Sequence, residues 1–316
     1  MTISPCATLS GRVRPPPLPP RARGLRHPPP QTPRGYIPSR LTRSNDFRYF
    51  YEVKTDQSAA DLVTQWAARG RYTFTTEEAI GAIRGSPVAV RAAVRRLKRK
   101  GSIATPVRGF HTIVPPEYLR LGCLPADQFI PQLMAHLEQP YYAALLSAAQ
   151  YHGAAHQQPQ VFQVMVRKNR SPIACGEVRV EFVARRNLGE MPVVERNTPR
   201  GSIRVSSLEA TAFDLVGYPE HAGGWDHVAT LLKELVEKIS PERLVAIAPL
   251  SPVAWSQRLG HLLDLGREAD RATPLAEYVK RTARETVPLD ARSVITDAVR
   301  DARWKLAVNL SVAPEP

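Results

Sequence analysis

The stretch Ser86–Lys100, SPVAVRAAVRRLKRK, followed by Gly101, sets the tightest condition on how this chain can fold. Ser86 is a natural N-cap and Pro87 suits the first helical position, where its missing N–H costs nothing. Gly101 supplies the left-handed residue that closes a helix. At about 100° per residue, Val90, Ala93, Val94 and Leu97 share one side while Arg91, Arg95, Lys98 and Arg99 share the other. Such a helix must pack one face on a core and point a wholly cationic face at something anionic.

The distribution of charge says where the anion belongs. The net charge is +14 over 316 residues. Residues 1–45 hold eight arginines and no acid, and residues 46–116 hold twelve Lys/Arg against six Asp/Glu. The remaining 117–316 carry 23 basic and 23 acidic residues. All the excess positive charge therefore lies in the first 116 residues, so a polyanion partner is expected there, and double-stranded DNA is the partner read from it.

Cys6, Cys123 and Cys175 stand far apart with no CxxC, which argues against a disulfide framework or structural zinc and for a reducing, cytoplasmic location. No apolar run approaches the roughly 18 residues of a spanning helix, so no membrane role is expected. Residues 1–45, with eleven prolines, read as a disordered Pro/Arg-rich arm. It is either a phosphate-touching tail or the product of a translation start placed too far upstream.

Residues 46–116 follow the order of a winged helix-turn-helix. A helix over 58–69 is followed by an extended Tyr72–Phe74 and a short helix from Thr76 to Gly85. Ser86–Lys100 comes next, then two β segments, Ile103–Ala104 and Phe110–Val114, around a Pro-Val-Arg-Gly turn. The third helix takes the recognition position and Arg108 the wing. Candidate DNA-binding residues are Ser86, Arg91, Arg95, Arg96, Lys98, Arg99, Lys100 and Arg108. Arg91 and Arg95, near the end that enters the groove, are placed on base edges. Arg96, Lys98, Arg99, Lys100 and Arg108 are placed on phosphates.

Residues 117–290 read as a larger mixed α/β domain, and 291–316 as a weakly patterned tail anchored by Trp304. The expected fold class is α+β: the winged helix, then a small sheet of about four strands flanked by helices. Helices are expected over 127–138 and over Tyr141–Tyr151, the latter buried because it is apolar on all sides. The strands are Val161–Val166, Glu177–Arg185, Val193–Arg196 and Ile203–Ser206. In the second, Val178, Val180, Phe182 and Ala184 should face the core, with Arg179, Glu181 and Arg185 in water. Ser206–Glu209 reads as a capping box opening a helix to Val216. Further helices follow over Trp225–Ile239, from Ser240 to Ala248, and over Val253–Leu265.

Positive signs of catalysis are lacking. His152-x3-His156 has metal-like spacing, but Gly153 interrupts it and no carboxylate or cysteine is near in sequence. Glu177 and Glu181 with Arg179 read as a surface ion-pair ladder rather than a nuclease set. Asp214 reads as a packing carboxylate. No P-loop, GxSxG, HExxH or Rossmann glycine pattern occurs. No catalytic residue, metal or cofactor is expected.

The segments YYAALLSAAQYHGAAHQQPQVFQVMV (141–166), SSLEATAFDLV (206–216), the GGW turn (223–225) and QRLGHLLD (257–264) together resemble AbiEi-type antitoxins of type IV toxin–antitoxin systems. The likeness spans about residues 58–265. It implies an N-terminal winged helix-turn-helix and a C-terminal antitoxin domain. It also implies repression of the protein's own operon through inverted repeats, bound by monomers or a dimer. A nucleotidyltransferase-like toxin would be counteracted without a stable complex. The competing readings are a winged-helix regulator or protein-docking module with no antitoxin role, and a metal-dependent nuclease built on Glu177 and Glu181.

Overall fold

The structure, a computed structural model, describes residues 58–154, 159–296 and 298–313. The 1–45 arm, Cys6 and His156 lie outside them. The fold is mixed α+β, with helices and several small sheets.

It begins with three helices and a three-stranded sheet: α1 (Ala59–Ala68), β1 (Thr73–Thr75), α2 (Thr76–Ala82), α3 (Pro87–Arg99), β2 (Ile103–Val107) and β3 (Phe110–Ile113). Local chemistry sets each boundary. Ser58 with Asp61, and Thr75 with Glu78, form reciprocal capping boxes at α1 and α2. Ser86 accepts the Ala89 amide at α3. Gly101, at φ 74°, closes α3, with Ser102 N–H reaching the Leu97 carbonyl and Gly101 N–H that of Lys98. The strands are all antiparallel in the order β1-β3-β2.

The second part contains α4 (Ala126–His136), β4 (Tyr141–Ala143), α5 (Leu145–Tyr151), β5 (Phe162–Val166), β6 (Ile173–Cys175), β7 (Val178–Ala184), β8 (Val193–Thr198) and β9 (Gly201–Ser206). It continues with α6 (Leu208–Gly217), α7 (Trp225–Leu235), α8 (Pro241–Ile247), α9 (Val253–Leu265) and α10 (Ala269–Thr282). Six strands, rather than the four expected, form one sheet in the order β6-β7-β5-β4-β9-β8.

The extra strands include the clearest departure from expectation. Tyr141–Ala143 is not the start of a helix but a central strand, antiparallel to β5 and parallel to β9. Its sequence is apolar on both sides because both faces of the sheet are covered. Tyr142 and Met165 point to a core with α6, α7, α8 and α9. Tyr141, Ala143, Val164 and Val166 point to a second core with Phe129 and Leu133 of α4. That second core also contains Ala104, Phe110 and Val114 from the first sheet and its exit, so apolar packing runs across residue 116. Cys123 and Cys175 are buried in it as free thiols.

Two further details differ. The cap of α6 is Ser207, whose hydroxyl accepts the Ala210 amide, not a Ser206–Glu209 box. Buried Glu209 accepts instead from the Ser240 amide. At the end of β7, Ala184 is exposed while Val183 and Arg185 are buried, so the alternation reverses at that end of the strand.

The chain ends in a small sheet of β10 (Val287–Pro288), β11 (Val299–Asp301) and β12 (Leu306–Val308), ordered β10-β12-β11. Trp304 anchors it as expected. Its ring is fully buried against Gly260 of α9 and its indole N–H donates to Asp264, 2.6 Å away.

Candidate nucleic-acid interface

Val90, Val94 and Leu97 of α3 are buried with Leu62, Val63 and Trp66 of α1, and with Phe74, Ala79, Ile83 and Ile103. This anchorage fixes the rotation of α3 about its axis. Arg91, Arg95, Arg96, Lys98, Arg99 and Lys100 are consequently all exposed. The wing-like hairpin turns at Val107–Phe110, where Gly109 takes a φ of 85° that only glycine adopts freely and Arg108 projects into solvent.

Between α3 and this hairpin lies a cleft of about 510 Å³. Arg91, Arg95, Lys98 and Arg108 line it together, so residues up to seventeen positions apart in sequence converge on one concave surface. Arg96, Arg99 and Lys100 do not line it, and Ser86 stands at the cap. Among the described residues, no carboxylate forms an ion pair with any of these seven cations. The three cations of the last turn, Arg96, Lys98 and Arg99, also complement the negative end of the helix dipole, so part of their charge serves the helix itself.

The floor of the cleft holds a residue that sequence reasoning missed. His111, on β3, is buried, and its ring nitrogens are hydrogen-bonded to the hydroxyls of Thr76 (2.9 Å) and Thr105 (3.0 Å). Burial holds its pKa below the ordinary value, helped by nearby Lys98 and opposed by Glu77. His111 is therefore neutral near pH 7 and ties α2, β2 and β3 together beneath the cations. No local pattern announces it, because its partners are brought up by the sheet register, which sets Phe74 against His111.

The other candidate sites resolve differently. His152 donates from Nε2 to the Ser206 carbonyl, 2.8 Å away, and burial lowers its pKa. Among the described residues no group of three or more His, Cys, Asp or Glu side chains is placed to hold a metal. The expected ladder of Glu177, Arg179 and Glu181 does not form. Arg179 donates to the carbonyls of Gly176 and Val178, while Glu181 accepts from His221 Nδ1 (2.9 Å) and from Gln163 Nε2 (3.2 Å). Nearby backbone carbonyls take Arg179, while Glu181 is taken by Gln163 of the neighbouring β5 and by His221 from the turn after α6. Asp214 is fully buried, ion-paired to Arg185 and hydrogen-bonded by Tyr142, 3.1 Å away, as befits a packing carboxylate.

Residues 142–265 match the family model described as the AbiEi antitoxin C-terminal domain. Over that stretch the chain is similar to the AbiEi antitoxin family. The matched stretch runs from β4 to the last residue of α9, Leu265, and includes the Arg185–Asp214 pair and most of the six-stranded sheet. The structure is also similar to the crystal structure of the RV2827C protein from Mycobacterium tuberculosis, with a TM-score of 0.57 and 21% identity. That likeness covers 78% of this chain and 90% of the other, so the shared fold extends beyond the AbiEi stretch. No curated protein matches the sequence. Among the described residues no helix is long and apolar enough to cross a membrane.

Proposed function

We propose that this protein is the antitoxin of a type IV toxin–antitoxin system, acting in the cytoplasm and without enzymatic activity of its own. In this reading residues 46–116 form a winged helix-turn-helix that binds double-stranded operator DNA at inverted repeats and represses the protein's own operon. Residues 117–290 counteract a nucleotidyltransferase-like toxin without a stable complex.

The observation that carries the DNA half is the convergence of Arg91, Arg95, Lys98 and Arg108 on one cleft, whose lining also includes Glu77, a carboxylate in no ion pair with these four cations. Four guanidinium and ammonium groups against the single carboxylate of Glu77 leave the concave surface with net positive charge, which favours an anionic occupant. A recognition helix fits a major groove about 12 Å wide, and a hairpin beside it reaches the flanking backbone. Arg91 and Arg95 then serve base edges, and Arg96, Lys98, Arg99, Lys100 and Arg108 serve phosphates. Ser86 sets the start of the helix, which orients its first turn. Inverted repeats require two such helices, from a dimer or from paired monomers. The AbiEi match supports the antitoxin half.

The test is a gel shift of the duplex upstream of the protein's own coding sequence by the full chain, paired with co-expression beside the neighbouring toxin frame. A salt-dependent shift, lost on combining Arg91→Ala and Arg95→Ala, and restored growth against the toxin support the reading. Absence of any shift overturns the DNA half, and failure to restore growth overturns the antitoxin half.

A further inference from the structure

Val88 stands out on α3. It is 69% exposed in the first turn and lies roughly opposite the buried Val90, Val94 and Leu97. Arg91 and Arg95 follow at i+3 and i+7, so the valine heads the same solvent-facing stripe as the two arginines assigned to base edges.

Local energetics do not favour a valine there. The first turn of a solvated helix gains from a carboxylate near the positive end of the dipole, as α1 has in Asp61 and α2 in Glu77 and Glu78. The first turn of α3 has no acid. A β-branched side chain in an exposed helical position also lowers helix propensity. The valine is disfavoured on both counts in the free protein, and an acid in its place would repel a phosphate backbone.

We propose that Val88 is a base-reading residue that receives the C5 methyl group of a thymine in the major groove. The inference rests on the reading of α3 as a DNA-recognition helix. The surrounding cations select a polyanion as the occupant. On that polyanion the apolar feature open to a side chain in the major groove is the thymine methyl, which the minor groove lacks. Val88 and Arg91 are separated by about 4.5 Å along the helix axis, three residues of rise. The spacing of base pairs is about 3.4 Å. If Arg91 forks onto a guanine, the thymine read by Val88 lies at a neighbouring base pair, and each half-site carries a thymine beside that guanine.

The experiment uses the full-length chain and duplexes it enriches from a random pool, with each thymine replaced in turn by deoxyuridine, which lacks only the methyl. One thymine per half-site, when replaced, is expected to weaken binding about fourfold, the equivalent of one buried methyl group. Val88→Ala, which keeps the helix because alanine is the better helix former, is expected to weaken binding to the thymine duplex and to ignore the uracil exchange. A wild type indifferent to uracil at every position, or a Val88→Ala variant that keeps the wild-type discrimination, overturns the proposal and leaves the DNA-recognition reading intact. Failure to enrich any duplex overturns both.

Discussion

Arg185, just beyond the end of β7, forms an ion pair with Asp214 inside α6, and neither side chain is reached by more than a trace of solvent. The guanidinium also donates to the Ser251 hydroxyl, 2.8 Å away, and lies over the ring of Trp255 at 4.9 Å. The pair thus joins the sheet to α6 and to the loop before α9 at the centre of the AbiEi stretch.

Removing one partner leaves the other charge buried alone. Arg185→Met is expected to destabilise the protein by about 3–5 kcal/mol in urea denaturation, and the double change Arg185→Met with Asp214→Leu by less than the single one.

Asp214 also gives stability a pH dependence of known sign. Burial pushes its pKa up to about 6, against the pull of Arg185 and of the Tyr142 hydrogen bond. Between the ordinary value of 3.8 and about 6, the folded chain holds a proton that the unfolded chain releases, so stability from this group falls as pH rises. The advantage of wild type over Asp214→Asn should shrink by about 3 kcal/mol between pH 3.5 and 6.5, measured as urea midpoints at each pH.

His111 and His152 act with the opposite sign. Their folded pKa values lie below 6.5, so the stability they give is complete above 6.5 and is lost as pH falls through the lowered values. NMR titration of the imidazole protons should place both midpoints below that of a free histidine.

Gly260 faces Trp304 so closely that an added Cβ would stand 2.1 Å from a ring carbon. Gly260→Ala ordinarily strengthens a helix by about 1 kcal/mol. Here overpacking is expected to win and to destabilise by about 1–3 kcal/mol. Urea denaturation monitored by tryptophan emission checks it, with Trp304→Phe removing the ring the new methyl would strike.

What the sequence made legible was local. The caps at Ser86 and Gly101 and the apolar stripe of α3 depend on residues a few positions apart, and their elements appear as read. Tyr141–Ala143 was illegible because an unbroken apolar run suits a buried helix and a central strand equally, and only its two neighbouring strands decide. The burial of Arg185 depends on Asp214, 29 residues away, and the place of His111 on Thr76, 35 residues away. No helix is read from Ala269–Thr282, where Pro274 stands inside a continuous helix whose Ala272, Leu275 and Val279 are buried.

Base and backbone contacts should separate by substitution. Arg91→Ala and Arg95→Ala should each reduce discrimination between an enriched and a random duplex by about 1–3 kcal/mol, as bidentate guanine contacts do. Competition binding at fixed salt measures it.

The central claim, that Arg96, Lys98, Arg99 and Lys100 of the α3 end and Arg108 meet DNA phosphates, is tested most directly by the salt dependence of duplex binding by the full chain. The slope of log affinity against log salt should be steep and negative, and Arg99→Ala, Lys100→Ala and Arg108→Ala should each flatten it by about 0.9. A slope near zero, or one that these three substitutions leave unchanged, would contradict the account.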